Sequence, residues 1–228
     1  DTTAKLQACI NRAYGRTIPR IPVLLPSGVY LVSSTLVLLP QNAGGSDGIN
    51  VVPGRFLPQI LVGQPLSSGA KARPILKLAP RSEGFGKLGF GTSNGKGGGC
   101  GNGKCKPVVD LGQSNVNMNS LLKGIDVDIT APGNPSACGV CHNGAQGATV
   151  TDVTVRAANE SFACFMGLNG AGGLHGNVQA VGAKVGIYIS GAQPIPMGVN
   201  LQLVNQSVSA VVFASQEGFS LVGVSITV

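Results

Sequence analysis

Along the second half of the chain, apolar and polar residues alternate in five short segments that repeat one another. They are LLKGIDVDIT (121 to 130), ATVTDVTVRA (148 to 157), GLHGNVQAVG (173 to 182), GVNLQLVNQS (198 to 207) and LVGVSITV (221 to 228). With Ile125, Val153, Val178, Leu201 and Val224 taken as equivalent, the steps are 28, 25, 23 and 23 residues. A second set lies between them: GVCHN (139 to 143), ACFMG (163 to 167), GIYIS (186 to 190) and AVVFA (210 to 214). Matching Val140, Cys164, Ile187 and Val211 gives steps of 24, 23 and 24. A period near two dozen with at least two strands per repeat predicts a solenoid, because one such unit cannot bury its apolar face without a neighbour above and below. Leucine-rich repeats have a similar length, but their Leu/Asn signature is missing. The expected fold is all-β: a right-handed parallel β-helix in which each repeat rises about 4.8 Å and inward aliphatics stack.

The first half reads differently. DTTAKLQACINRAYG predicts a short helix over residues 1–15, with Asp1 or a Thr as cap, Leu6, Cys9, Ile10 and Ala13 on one face, and Gly15 as its stop. Two strand-like runs follow in VLLPSGVYLVSSTLVL, broken at Pro26-Ser27-Gly28. Residues 40 to 75 mix Pro, Gly and short apolar runs, and 84–106 form a Gly-rich loop. The expected organisation is one domain, 1–228, whose helix covers the open end of the stack and keeps unpaired strand edges from recruiting other chains. Val228 falls inside a strand, so the expectation is a fragment of a longer chain, or an end covered by a second β-helix domain or by self-association.

Composition narrows the compartment and the partners. The chain has 35 Gly, 11% charged residues and 43% hydrophobic residues, the profile of a folded chain of many short strands. No run of eighteen apolar residues occurs, so no membrane-spanning helix is expected. Six cysteines and two sequons, at Asn159 and Asn205, predict a secreted, extracellular, glycosylated protein with disulfides. The net charge of +7 is uneven: residues 71 to 106 hold eight basic side chains against Glu83 alone. Such a patch attracts acidic glycans or anionic surfaces, but no aromatics alternate with the charges as a nucleic-acid platform requires, so no nucleic-acid partner is expected.

DTTAKLQACINRA followed by VLLPSGVYLVSSTLVL resembles the start of the pectate-lyase-like β-helix proteins, where an acidic-Thr helix precedes a Pro-x-Gly-x-Tyr strand turn. KGIDVDITAP, GVCHNGAQGATVTDVTV and GLNGAGGLHGNVQAVGAKVGIYISGAQ resemble more particularly the N-terminal β-helix of glycoside hydrolase family 55, the exo-β-1,3-glucanases. The resemblance covers most of the chain outside residues 40 to 106. It implies a secreted polysaccharide hydrolase that inverts configuration and uses no cofactor or metal. It also implies a second β-helix that carries the catalytic acid, for which this chain has no matching position.

The residues themselves offer a polar column of outward positions. Asp126 and Asp128 lie two apart on one strand face, roughly 6.6 Å, near the separation that inverting glycosidases use, and are the candidate catalytic pair. Asn177, Gln179, Asn200, Gln202 and Glu217 are candidates for binding sugar hydroxyls. The stretch CGVCH (138 to 142) has the spacing of a c-type haem tether, but Val140 falls on an inward position and the chain has few aromatics to wrap a porphyrin. The cysteines are instead read as disulfides: Cys100 with Cys105, and Cys138 or Cys141 tied locally or to Cys164. The alternative to an enzyme is a non-catalytic structural β-helix in an extracellular wall, appendage or fibre.

Overall fold

A computed structural model describes residues 1–13, 21–38, 58–86, 105–111, 118–144, 146–168, 170–189, 197–214 and 218–228. The protein is mostly β, with parallel sheets curled into a half-barrel and one α-helix among the described residues. Helix α1 (Thr3–Ala13) precedes β1 (Val23–Leu25), β2 (Val29–Val32), β3 (Leu36–Val37), β4 (Ile60–Gly63), β5 (Ile75–Leu78), β6 (Lys106–Asp110), β7 (Leu121–Lys123) and β8 (Asp126–Ile129). The remaining strands are β9 (Ala137–Cys141), β10 (Thr149–Ala157), β11 (Ala163–Met166), β12 (Leu174–Val181), β13 (Val185–Ile189), β14 (Met197–Val204), β15 (Ser209–Phe213) and β16 (Ser220–Thr227).

The larger sheet runs β1-β4-β7-β10-β12-β14-β16, with a second row, β2-β5-β8, joining it at β10. The smaller runs β15-β13-β11-β9-β6-β3. Parallel pairing at a constant offset places equivalent residues on top of one another. Val153 pairs with Val178, Val178 with Leu201, and Leu201 with Val224. Thr149–Thr151 and Val155–Ala157 both pair with residues 28 earlier, which sets Ile125 opposite Val153. The first four of these aliphatics are almost fully buried and Val224 packs against the same core. A second column, Leu76, Val127, Val155, Ala180 and Leu203, runs beside it.

The smaller sheet corrects one expectation. Val140 pairs with Phe165, not Cys164, and Phe165 pairs with Ile187, which pairs with Val211. Phe165, among the largest fully buried side chains, holds the in-register position between Val140 and Ile187 in the main core, while Cys164, also buried there, takes the neighbouring position. In the middle of this sheet, at β9, β11 and β13, both faces are buried. Cys138, Cys141, Ala163, Met166, Val185 and Tyr188 form a smaller cluster separate from the main core, so β9, β11 and β13 read as continuous apolar runs rather than alternating ones.

The larger sheet bends along one line. Gly124, Asp152, Asn177, Asn200 and Gly223 all have positive φ, between 50° and 66°, and the strand offsets put them side by side. Left-handed backbone is open to Gly at no steric cost and tolerated by Asn and Asp, whose short polar side chains bond locally. Each strand therefore turns at the same place, and the inward columns on either side of the bend stay aligned.

Helix α1 lies against the first strands. Asp1 Oδ1 accepts from the Thr3 amide at 3.1 Å as its cap. Gln7 closes both polar groups of Val37 on the edge strand β3, donating to its carbonyl and accepting from its amide, each at 2.8 Å. Thr2 donates to the Leu31 carbonyl at 2.8 Å, and Thr3 accepts from the Ser33 amide at 2.8 Å. The helix satisfies edge groups that would otherwise face water.

The bend predicts a graded response at Asn177. Replacement by Ala removes the side-chain bonds of Asn177 to Asp152 and Asn200 and leaves a residue less suited to left-handed backbone, and is expected to cost about 1–2 kcal/mol. Asn177→Gly keeps the backbone and is expected to cost less, and Asn177→Val more; thermal denaturation of the three variants checks the order.

Candidate functional site

The outward face of the larger sheet gathers most of the polar residues named from the sequence. Asp126 and Asp128 alternate with buried Val127 and Ile129 on β8, so both carboxylates face outward. The register extends Asp126 into a row: Thr154 pairs with Gln179, Gln179 with Gln202, and Gln202 with Ser225. Gln179 Nε2 lies 3.3 Å from Gln202 Oε1. The next row, Lys77, Asp128 and Arg156, is charged and continues through Val181, Val204 and Thr227. Asn177 therefore does not share a row with Asp126 or Thr154; its neighbour is Asp152. The spacing that equates Ile125, Val153, Val178 and Leu201 gives the same row one position further on, and Asn177 and Asn200 lie one position before those aliphatics, on the bend.

Asn177 and Asn200 spend much of their hydrogen-bonding capacity on one another. Asn200 Nδ2 donates to Asn177 Oδ1 at 2.8 Å, and Asn177 Nδ2 donates to Asp152 Oδ1 at 3.2 Å. They form an exposed ladder along the bend. Gln179 and Gln202 lie on the flat part of the face beside it. Glu217 lies outside the described residues.

The two aspartates differ in surroundings. Asp126 takes a contact from Arg73 at 3.4 Å and accepts from the Thr154 amide at 3.2 Å. Asp128 accepts from the Thr130 hydroxyl at 2.6 Å and the Thr130 amide at 2.9 Å, with Lys77 Nζ at 3.5 Å. Burial pushes the Asp128 carboxyl up, but the Thr130 bonds and the Lys77 charge outweigh it and hold the group below its ordinary value. Asp128 is a stable carboxylate, the protonation state of a general base rather than of a general acid. The same ion pairs draw Arg73 and Lys77 out of the basic stretch, and Lys106 is held by the Glu83 carbonyl at 2.7 Å and the Phe85 ring at 4.6 Å.

CGVCH folds as part of a fully buried strand. Val140 sits in the core column, whereas Cys138 and Cys141 fall in the smaller cluster on the other face of the sheet. Cys141 is disulfide-bonded, while Cys9, Cys105, Cys138 and Cys164 carry thiols. The expected Cys100–Cys105 bridge is therefore not made, and neither Cys138 nor Cys164 enters a disulfide. The reason is placement: Cys164 belongs to the main core, on the other side of the sheet from Cys138 and Cys141. Both sequon asparagines, Asn159 and Asn205, are exposed.

Sequence reasoning also missed the partner of His142. His142 Nδ1 lies 2.6 Å from His175 Nε2, the rings stack with centroids 4.9 Å apart, and both residues are fully buried. His175 interrupts an aliphatic column, following Leu61, Leu122 and Val150. Burial lowers His142 to about 3 and pushes His175 well down, with His142 adding to the effect on His175. The pair is neutral, and one ring donates while the other accepts.

No family model matches the chain, and no curated protein matches it.

The histidine pair predicts the acid sensitivity of the fold. An unfolded His takes its proton near 6.5, while folded His142 does so only near 3. Below 6.5 the unfolded state binds more protons, so this stability is complete above 6.5 and drains as pH falls toward 3. The expected loss is about 1.4 kcal/mol per pH unit for His142, with His175 adding in the same direction. Urea unfolding between pH 6.5 and about 4.5 reads the slope before the carboxylates titrate. A flat profile would contradict the neutral buried pair.

Proposed function

We propose that this chain is a right-handed parallel β-helix domain, secreted and directed at extracellular polysaccharide, similar in kind to the N-terminal β-helix of the family 55 glucanases. The carrying observation is the outward row Asp126, Gln179, Gln202 and Ser225, brought into register on one sheet face, with buried Thr154 between Asp126 and Gln179. Adjacent strands lie about 4.8 Å apart, so the row offers two amides on neighbouring strands, a hydroxyl beyond them and a carboxylate at the other end. Such groups donate to and accept from sugar hydroxyls in either direction. A glycan lying across the strands meets Gln202 and Gln179 first, then the charged end at Asp126, Asp128 and Arg156. The polar groups fix orientation and the long row supplies extent. Hydrolysis, in this reading, uses Asp128 as the ionised base of an inverting pair, with the acid supplied from outside this domain.

A second reading, a structural subunit without catalysis, draws on a different observation. Among the described residues, the eight-residue strand β16 ends the larger sheet without charge or proline, and Val222 and Ile226 on it are 60% and 58% exposed. Natural edges are usually blunted by charge or cover.

Retention on insoluble β-1,3-glucan separates the two. The glycan-directed reading predicts that the protein is retained and that Gln179→Ala with Gln202→Ala weakens retention about tenfold, the effect of losing one or two net hydrogen bonds. Asp126→Asn with Asp128→Asn is expected to leave the fold intact and abolish any sugar release. Absence of retention, with concentration-dependent assembly in sedimentation velocity that Val222→Lys abolishes, would favour the structural reading instead.

A further inference from the structure

The buried histidines belong to a larger polar corner inside an otherwise apolar core. Gln59, Ser120 and Ala148 occupy equivalent positions immediately ahead of the adjacent strands β4, β7 and β10, because the Leu121 amide donates to the Gln59 carbonyl and the Thr149 amide to the Ser120 carbonyl. His142 joins this column from the smaller sheet: a β-carbon on Gly144 would lie 2.5 Å from His142 Nε2 and 2.5 Å from Ala148 Cβ, which puts that nitrogen beside Ala148. Gln59 and His142 are 0% exposed and Ser120 1%. Among the described residues, the Gln59 amide, the Ser120 hydroxyl, His142 Nε2 and His175 Nδ1 have no hydrogen-bond partner.

The histidine pair dictates what kind of group can serve it. The two rings share one proton across Nδ1 of His142 and Nε2 of His175. If His142 donates, its outer nitrogen is an acceptor and the outer nitrogen of His175 a donor; if His175 donates, the roles exchange. Either way, one outer nitrogen needs a donor and the other an acceptor. Ser120 and Gln59 each present both capacities as well. A ligand that suits this set is small, neutral, and able to donate and accept at once.

We propose that this corner is a built site for ordered internal water, in which one molecule joins His142 Nε2 to Ser120 and a further one continues to the Gln59 amide. Internal waters typically make about three hydrogen bonds to otherwise unserved buried groups. Gly144 fits the site, since a side chain there would collide with Nε2. The waters and the imidazole pair form one connected polar string that climbs the stack, and its neutrality lets it sit beside Leu61, Leu122 and Val150 without an ion in the core. The proposal is independent of the polysaccharide reading.

Two measurements test it. A high-resolution crystal structure is expected to show density on His142 Nε2 at hydrogen-bond distance, about 2.7–3.2 Å, with Ser120 as second partner. Density near 2.0–2.1 Å would mark a metal ion and overturn the proposal, as would none at all. The sign of the Ser120→Ala effect on Tm gives the second. If water bridges the hydroxyl, its removal strands the water and Tm falls by about 2–4 °C. If the corner is dry, Ala deletes an unserved polar group and Tm is unchanged or rises, which overturns the proposal.

Discussion

Parallel register is the constraint on which the rest of this structure depends. When each strand lies on its neighbour at a fixed offset, every side chain meets its own equivalent above and below, and no local adjustment is free. A residue that suits one repeat has to be tolerated by the next. The aliphatic columns through Val153, Val178 and Leu201, and through Val155, Ala180 and Leu203, satisfy this by repeating shape. The bend satisfies it by repeating backbone, since Asp152, Asn177 and Asn200 all take the same left-handed conformation between two glycines. An outward face of evenly spaced polar groups is a by-product of that regularity.

The constraint carries a cost wherever a repeat departs from aliphatic. His175 takes a place that belongs to Leu61, Leu122 and Val150 in earlier repeats, and His142 meets it from the opposite sheet. A lone buried imidazole would be expensive, whereas two that share a hydrogen bond are neutral and half satisfied. The aspartates show the opposite solution at the surface. Asp126 faces Arg73, just ahead of β5, and Asp128 faces Lys77 on that strand, so each carboxylate has a cationic neighbour.

Much of the architecture was legible because a period of about two dozen residues is long enough to stand out and the aliphatic positions obey it. Ile125, Val153, Val178, Leu201 and Val224 are where the spacing put them. The smaller sheet was less legible, since in its middle both faces are buried and nothing polar marks which residue points where; Val140 was matched to Cys164 when its partner is Phe165. Asn177 and Asn200 were readable in principle, because Gly, Asp or Asn recurs at that point in every repeat, which is the signature of left-handed backbone. The disulfides were not readable, because connectivity depends on which face of a fully buried strand each cysteine occupies. The histidine pair joins residues 33 apart in different sheets, and no local pattern announces it.

A double-mutant cycle on the stacked aliphatics tests the central claim most directly. Val178 and Leu201 are in-register neighbours, so Val178→Ala and Leu201→Ala are expected to couple by about 0.5–3 kcal/mol in unfolding free energy. Ile125→Ala and Val224→Ala, at opposite ends of the same column, are expected to add within about 0.5 kcal/mol. Additive behaviour at the neighbouring pair, or equal coupling at both, would contradict the stacked register.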